Sequence, residues 1–224
     1  MPRARTVVFR SWLFNDKSTG VLLFSTDKRM DKVDDLENRD GRFEACIYFP
    51  NEQTQFRFSG FSQLLSPHRD LPSLLSPISQ SRPLDSPSRS SNSSTPSSDT
   101  HNGSFYPVFT PSYDSANSYD TEFPPPSRDE WMAEYERMWD ATPKHIKQGF
   151  KNPPPGRLLT KEHQKRLDAI SRGVDGSSDE SGKDNFVVVL MFINSVDQLE
   201  LTHPKRTLFT RTKHDEWIEQ DTCP

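Results

Sequence analysis

The sequence is poor in the features that define several large classes of protein. Only two of its 224 residues, Cys46 and Cys223, are cysteines, which excludes a disulfide framework and favours a reducing compartment. The longest apolar run, Phe186–Ile193, is too short to span a bilayer as a helix. The basic residues after Met1 lead into a short β-like run rather than a secretory signal. We therefore predict a soluble, cytoplasmic protein with no membrane association.

The sequence also lacks an excess of basic residues. Lysine and arginine number 28 against 32 acidic residues, for a net charge of -4, whereas nucleic-acid-binding domains usually carry a basic stripe. It contains no glycine-rich phosphate loop, no metal-spaced cysteine and histidine cluster, and no nucleophile elbow. These absences predict a protein that binds neither nucleic acid nor a metal ion.

Hydrophobic residues make up only 31% of the chain, and this deficit is concentrated in one segment. Between Phe61 and Arg128 lie 11 of the 19 prolines, together with 19 serines. Such a segment buries too little apolar surface to offset the entropy lost on ordering. We predict a folded half-domain over 1–61, a disordered Ser/Pro-rich insert over 62–126, which is a candidate tether or phosphorylation target, and a second half-domain over 127–224.

Short β-patterned runs dominate the first half-domain. Four runs carry this pattern: Thr6–Phe9, Val21–Phe24, Phe43–Phe49 and Gln55–Ser59. The short spacings between them favour antiparallel pairing over parallel units with helical crossovers. We expect one short helix, Asp31–Leu36, between the second and third strands, and we expect Cys46 to be an inert core residue.

The second half-domain begins with helices and ends in strands. Ser127 and Glu130 form a capping-box pattern, and Thr160 is positioned to cap a later helix. Four apolar residues after the capping box share one helical face: Trp131, Tyr135, Met138 and Trp139. The continuous apolar run Phe186–Ile193 predicts a strand buried on both faces, and Arg206–Arg211 alternates as a further strand. The chain is therefore predicted to be mainly β with α (α+β), with strands from both ends sharing one sheet.

A set of cationic and amide side chains lies at the ends of these strands. Its members are Arg5, Arg10, Lys32, Gln55, Arg57 and Arg206. A phosphate ester needs cationic donors, and a flavin ring needs amide donors and acceptors along its pyrimidine edge. The hydroxyl of Thr26 is a further phosphate donor. Spacing alone favours the simpler interpretation that these are solvated charges at strand ends.

The order of these residues resembles a known family. In sequence come Arg5-Thr-Val-Val-Phe-Arg10, a strand ending at Thr26 with Lys32 six residues later, and Gln55-Phe-Arg57-Phe-Ser-Gly60. Five later features continue the series: Trp131, Pro153–Gly156, Asn185–Phe186, Pro204–Arg206 and Trp217. This series is similar to that of the pyridoxamine 5'-phosphate oxidase-like family, which binds flavin mononucleotide (FMN), and it covers nearly all of the chain outside the insert.

The resemblance implies an antiparallel FMN-binding split β-barrel with peripheral helices. It implies a homodimer with FMN between the subunits, acting as a flavin-dependent oxidoreductase on an unknown small-molecule substrate. Nine residues would contact the cofactor: Arg5, Thr6, Val7, Val8, Arg10, Thr26, Lys32, Gln55 and Arg206. Arg5 and Lys32 would bind the phosphate with help from Thr26. Gln55 would meet the pyrimidine edge, and Arg206 would approach the flavin from the C-terminal block.

The chain departs from the family pattern where the family contacts its vitamin substrate. An R-L-H stretch expected before Arg206 is replaced by Thr202–Pro204, and an expected tryptophan falls near Val196. The chain begins at the first matched strand, whereas the family normally supplies a helix and a strand before it. Two alternatives therefore stay open: a non-catalytic interaction protein that uses the insert on a degenerate barrel, and a barrel that binds another cofactor such as haem.

Overall fold

The computed structural model describes residues 4–37, 41–68, 126–176, 178–211 and 217–224. The described strands are β1 (Ser11–Trp12), β2 (Val21–Asp27), β3 (Arg42–Phe49), β4 (Thr54–Leu65), β5 (Phe186–Glu200), β6 (Lys205–Arg211) and β7 (Trp217–Thr222). The described helices are α1 (Asp31–Glu37), α2 (Arg128–Asp140), α3 (Lys144–Gly149) and α4 (Lys161–Ser171). Short 3-10 turns lie at Leu13–Asn15, Lys17–Thr19 and Asp179–Asn185.

The strands form one antiparallel sheet organised around β5. The order is β1-β2-β5-β4-β3, while β6 pairs with the second half of β5 and β7 pairs with β6. Strands from both ends of the chain therefore share one sheet, as predicted. The register between β4 and β5 shifts between Ser59 and Gly60, a bulge that bends the sheet. The result is a curled half-barrel.

Helix α2 covers one face of the sheet, which we call the α2 face. Its capping box is formed as predicted: the Glu130 amide donates to Ser127 Oγ at 3.2 Å, and the Ser127 amide donates to Glu130 Oε2 at 2.7 Å. The four apolar residues predicted to share one helical face are all buried. They pack against alternate residues of β2 and β5, including Leu23, Val188 and Leu190.

The opposite face carries a second core around α1, and we call it the α1 face. Val33 of this helix is buried against Phe24, Leu64 and Val189. Burial of both faces explains why all eight residues of Phe186–Ile193 are buried and why that run contains no polar residue. None of the helices in the described ranges is both long enough and apolar enough to cross a membrane.

Three local expectations are wrong. Thr6–Phe9 is exposed and forms no strand, because only Ser11–Trp12 pairs with β2. Cys46 is exposed rather than in the core, since on β3 the more buried side chains are its neighbours Ala45 and Ile47. Strand β4 continues to Leu65, so Ser62–Leu65, expected to begin the insert, lie in a strand. The rest of the expected insert, except for 66–68 and Pro126, lies outside the described residues.

Gly60 lies at the bulge because another backbone occupies the space of a side chain. A Cβ built there would be 1.8 Å from the carbonyl oxygen of Phe192. An added methyl group would therefore push β4 away from β5, which is the central pairing of the sheet. At Gly149, the last residue of α3, an added Cβ meets nothing within 4 Å.

We expect Gly60→Ala to lower the free energy of unfolding by at least about 2 kcal/mol, because the overlap with Phe192 requires a backbone shift. The matched substitution Gly149→Ala should be neutral or stabilising by up to about 1 kcal/mol, since alanine favours helix. Urea unfolding of both variants measures the difference. Equal stability of the two variants would contradict the close approach at Gly60.

Candidate functional site

The first group of predicted site residues surrounds α1. Arg5 reaches this helix from the N-terminal segment, where its Nη2 donates to Asp35 Oδ2 at 2.7 Å. Lys32 lies on the helix itself, and its pKa is lowered by burial and then by the positive charge of Arg5. Two cations are thus held close enough for one to disfavour the charge of the other. An anion placed between them would relieve this repulsion.

Thr26 contacts the residue that immediately precedes α1. It is a buried residue near the end of β2, on the same face as Phe24 and α1. Its Oγ1 lies 3.5 Å from the sulfur of Met30, a weak partner for a hydroxyl. The chain thus places Arg5 and Lys32 at α1, and Thr26 near the residue before its first turn. Two cations and a hydroxyl form a donor set that fits a phosphate group.

The segment between Arg5 and β1 is extended and exposed. Thr6, Val7, Val8 and Arg10 are all exposed, and the Arg10 amide donates to the carbonyl oxygen of Leu23 at 2.9 Å. The segment therefore begins to run beside β2 only at its end. Its remaining backbone groups and the exposed valine side chains are available to a planar ring.

The second group lies on one row across three strands. Gln55 of β4 pairs with Leu199 of β5, which pairs in turn with Arg206 of β6. Residues opposite one another in a sheet share a face, so Gln55 and Arg206 project on the same side, about 10 Å apart. Since Phe58 packs on the α1 face and side chains alternate along a strand, Gln55 projects from the other face.

A carboxylate orients Arg206. Its Nε and Nη2 donate to Oδ1 and Oδ2 of Asp197, both at 2.9 Å. This paired contact lowers the pKa of Asp197 mainly through the hydrogen bond from Arg206, with a smaller electrostatic contribution from Arg57. The guanidinium is therefore held in one plane by two parallel hydrogen bonds.

The two groups are far apart within one chain. Thr26 pairs with Val187 of β5, whereas Gln55 pairs with Leu199, twelve residues further along the same strand. At about 3.3 Å per residue this separation is roughly 40 Å along the strand. The groups also lie on opposite faces of the sheet. One chain does not bring all nine predicted residues to a single place.

The structure also contains a cavity that none of the nine predicted residues lines. Its volume is about 510 Å³, and Lys28, Asp34, His68, Tyr135 and Lys183 are among its lining residues. Burial raises the pKa of Tyr135, whose hydroxyl donates to the carbonyl oxygens of Lys183 and Phe186.

Sequence reasoning missed the two carboxylates that hold the predicted arginines. Asp35 is one helical turn from Lys32, and Asp197 precedes Arg206 by nine residues across a strand, a turn and a strand. That hairpin spacing was the available signal for Asp197. No comparable signal links Asp35 to Arg5, because the contact spans 30 residues.

Comparison with known proteins shows which family and fold this chain resembles. The family model described as "Pyridoxamine 5'-phosphate oxidase, FMN-binding domain" matches residues 1–66. A pyridoxamine 5'-phosphate oxidase-related, FMN binding protein of Nostoc punctiforme PCC 73102 has a TM-score of 0.58 at 24% identity, over 98% of this chain and 80% of that one. PhzG of Burkholderia lata 383, solved with tetrahydrophenazine-1-carboxylic acid, has a TM-score of 0.55 at 12% identity, over 98% and 74%.

These solved structures establish the fold as the FMN-binding type of split β-barrel, which confirms the predicted fold class. The yeast protein "Uncharacterized protein YGR017W" of Saccharomyces cerevisiae is 33% identical over 271 positions, covering 100% of this chain and 88% of that protein. The chain belongs to the pyridoxamine 5'-phosphate oxidase-like FMN-binding family.

The contact between Asp197 and Arg206 should make the stability of the folded protein depend on pH in the acid range. The pKa of Asp197 is depressed in the folded state, so its contribution is present above the usual aspartate range and lost as the pH falls through the folded pKa. Asp197→Asn should therefore lower the urea midpoint slightly at pH 7, and the difference should shrink once the pH falls below the usual aspartate range. Glu219→Gln, which alters an exposed carboxylate on β7, is the control and should behave as the parent in both pH ranges.

Proposed function

We propose that the chain binds FMN and serves as a flavin-dependent oxidoreductase acting on a small-molecule substrate. The observation that carries the proposal is the pair of cations Arg5 and Lys32 held at α1, with Thr26 near the start of that helix, in a member of an FMN-binding family. FMN would supply the redox chemistry, and the protein would bind and orient it.

The phosphate end of FMN would bind at α1. The Arg5 guanidinium has donors in addition to the Nη2 group that contacts Asp35, and a phosphate accepts several charge-assisted hydrogen bonds. Lys32 gains more, because its ammonium is disfavoured by burial and by Arg5 until an anion arrives. A bound phosphate would therefore raise the pKa of Lys32 towards its ordinary value.

The ring end would be completed by a second copy of the chain. A single FMN cannot reach from Thr26 to Gln55 along roughly 40 Å of strand, so a site that uses both groups needs two subunits. Exposed apolar side chains are available to such an interface in the N-terminal segment and on β3 and β7: Val7, Val8, Phe9, Tyr48, Phe49, Trp217 and Ile218. We propose a homodimer in which Gln55 and Arg206 of one subunit face Arg5, Thr26 and Lys32 of the other.

The substrate would differ from pyridoxamine 5'-phosphate. Thr202–Pro204, which stands where the resemblance expects R-L-H, forms an exposed turn between β5 and β6. Thr202 Oγ1 donates to Gln53 Oε1 at 3.3 Å, and this hydrogen bond links the turn to the connection between β3 and β4. This turn offers no arginine to a phosphorylated substrate.

FMN titration tests whether the residues at α1 bind the phosphate of FMN. The parent should bind FMN with a saturable change in flavin absorption or fluorescence. Lys32→Gln and Arg5→Gln should each weaken binding at least tenfold, roughly the value of one charge-assisted hydrogen bond. Lys17→Gln, at an exposed lysine away from α1, is the matched control and should bind as the parent does. A colourless parent that ignores added FMN would overturn the proposal.

Mixing two variants tests the shared site. Lys32→Gln and Arg206→Gln damage opposite ends of a site shared between subunits, so each homodimer should bind FMN weakly. Equal mixing and reassembly should restore about a quarter of the sites, because half of the dimers are mixed and each holds one intact site. Absence of any recovery, although mass spectrometry shows mixed dimers, would assign both residues to one subunit or remove one from the site.

A further inference from the structure

Arg57 is not one of the nine predicted cofactor residues, yet it lies beside Gln55 and Arg206. It follows Gln55 by two residues on β4 and so projects from the same face of the sheet. It pairs in register with Asp197 on one side and with Cys46 on the other. We use the name Arg57 patch for Cys46, Gln55, Arg57, Asp197 and Arg206.

The Arg57 guanidinium is exposed, and among the described residues it makes no hydrogen bond or ion pair. The nearest carboxylate in register, Asp197, uses both oxygens to accept from Arg206. Arg57 therefore contributes to the electrostatics of Asp197 without being bound by it. Its fork of donors remains open to an anion from outside the chain.

The charge of the Arg57 patch favours one kind of anion. Arg57 and Arg206 contribute two positive charges and Asp197 removes one, which leaves a single positive charge. A monoanionic carboxylate matches that charge, and the fork of a guanidinium matches its two oxygens. A phosphate dianion is better matched at α1, where Arg5 and Lys32 converge.

We propose that Arg57 binds the carboxylate of a small organic acid at the ring end of the flavin site. This inference rests on the proposed FMN function, because Gln55 and Arg206 mark the place of the ring. It assigns the substrate side of the site to Arg57, in a chain whose Thr202–Pro204 turn lacks the expected arginine. Asp197 then acts as a positioning residue that orients Arg206 through two hydrogen bonds.

The test uses benzoate, a planar monocarboxylate, with the FMN-loaded protein. Bound FMN is measured first from its absorption spectrum, so failure of the proposed function is seen before benzoate is added. Benzoate should then perturb the flavin spectrum saturably at constant ionic strength. Arg57→Gln should weaken this effect at least tenfold without changing FMN affinity, and Arg57→Lys should weaken it less, since it keeps the charge and loses the fork.

Arg42 supplies the matched control, because it is an exposed arginine on neighbouring β3 that pairs with Phe61 at the other end of β4. Arg42→Gln should respond to benzoate as the parent does. A parent-like response of Arg57→Gln, or no response of the parent, would overturn the inference. Inorganic phosphate that perturbs the flavin as strongly as benzoate and depends equally on Arg57 would overturn the carboxylate assignment.

Cys46 provides a second readout that does not depend on the flavin spectrum. It is exposed, pairs directly with Arg57 and shares its face of the sheet. In a Cys223→Ser background, benzoate should slow alkylation of Cys46 in the FMN-loaded protein, and Arg57→Gln should abolish this protection. An alkylation rate that saturating benzoate leaves unchanged would place the carboxylate elsewhere.

Discussion

The structure depends on the pairing of β5 with its neighbours. This strand of 15 residues pairs with β2 and β4 along its first half and with β4 and β6 along its second half. The first eight residues are buried on both faces, against α2 on one side and α1 on the other. Every predicted site residue that lies on a strand is therefore placed by its register against β5.

That register separates the site into two parts. Thr26 pairs near the start of β5, and Gln55 and Arg206 pair with the same residue near its end. The bulge opposite Gly60 adds Asn194 to β5, so the residues of β5 that lie on the α1 face change from Val189, Met191 and Ile193 to Val196 beyond that point. A slip of one residue would move Gln55 and Arg57 to the opposite face and remove the row that they share with Arg206.

Carboxylates hold the cations in both parts of the site. Asp35 contacts Arg5, and Asp197 binds Arg206 through two hydrogen bonds. These contacts orient long side chains that would otherwise sample many rotamers, so less entropy is lost when an anion binds. Lys32 and Arg57 differ from these two arginines, because the side chain of each remains available to a ligand.

Local periodicity and turn chemistry are enough to predict the strand-rich fold class, the capping box of α2 and the buried run of β5. They did not determine that Thr6–Phe9 stays unpaired or that Cys46 is exposed, because partners and faces are set by strands distant in the chain. Resemblance supplied the order of the predicted FMN residues, whereas their division into two groups follows from the folded sheet. The register of β5 sets this division. Which residues of β2, β4 and β6 lie opposite each residue of β5 is fixed only once the whole sheet has formed.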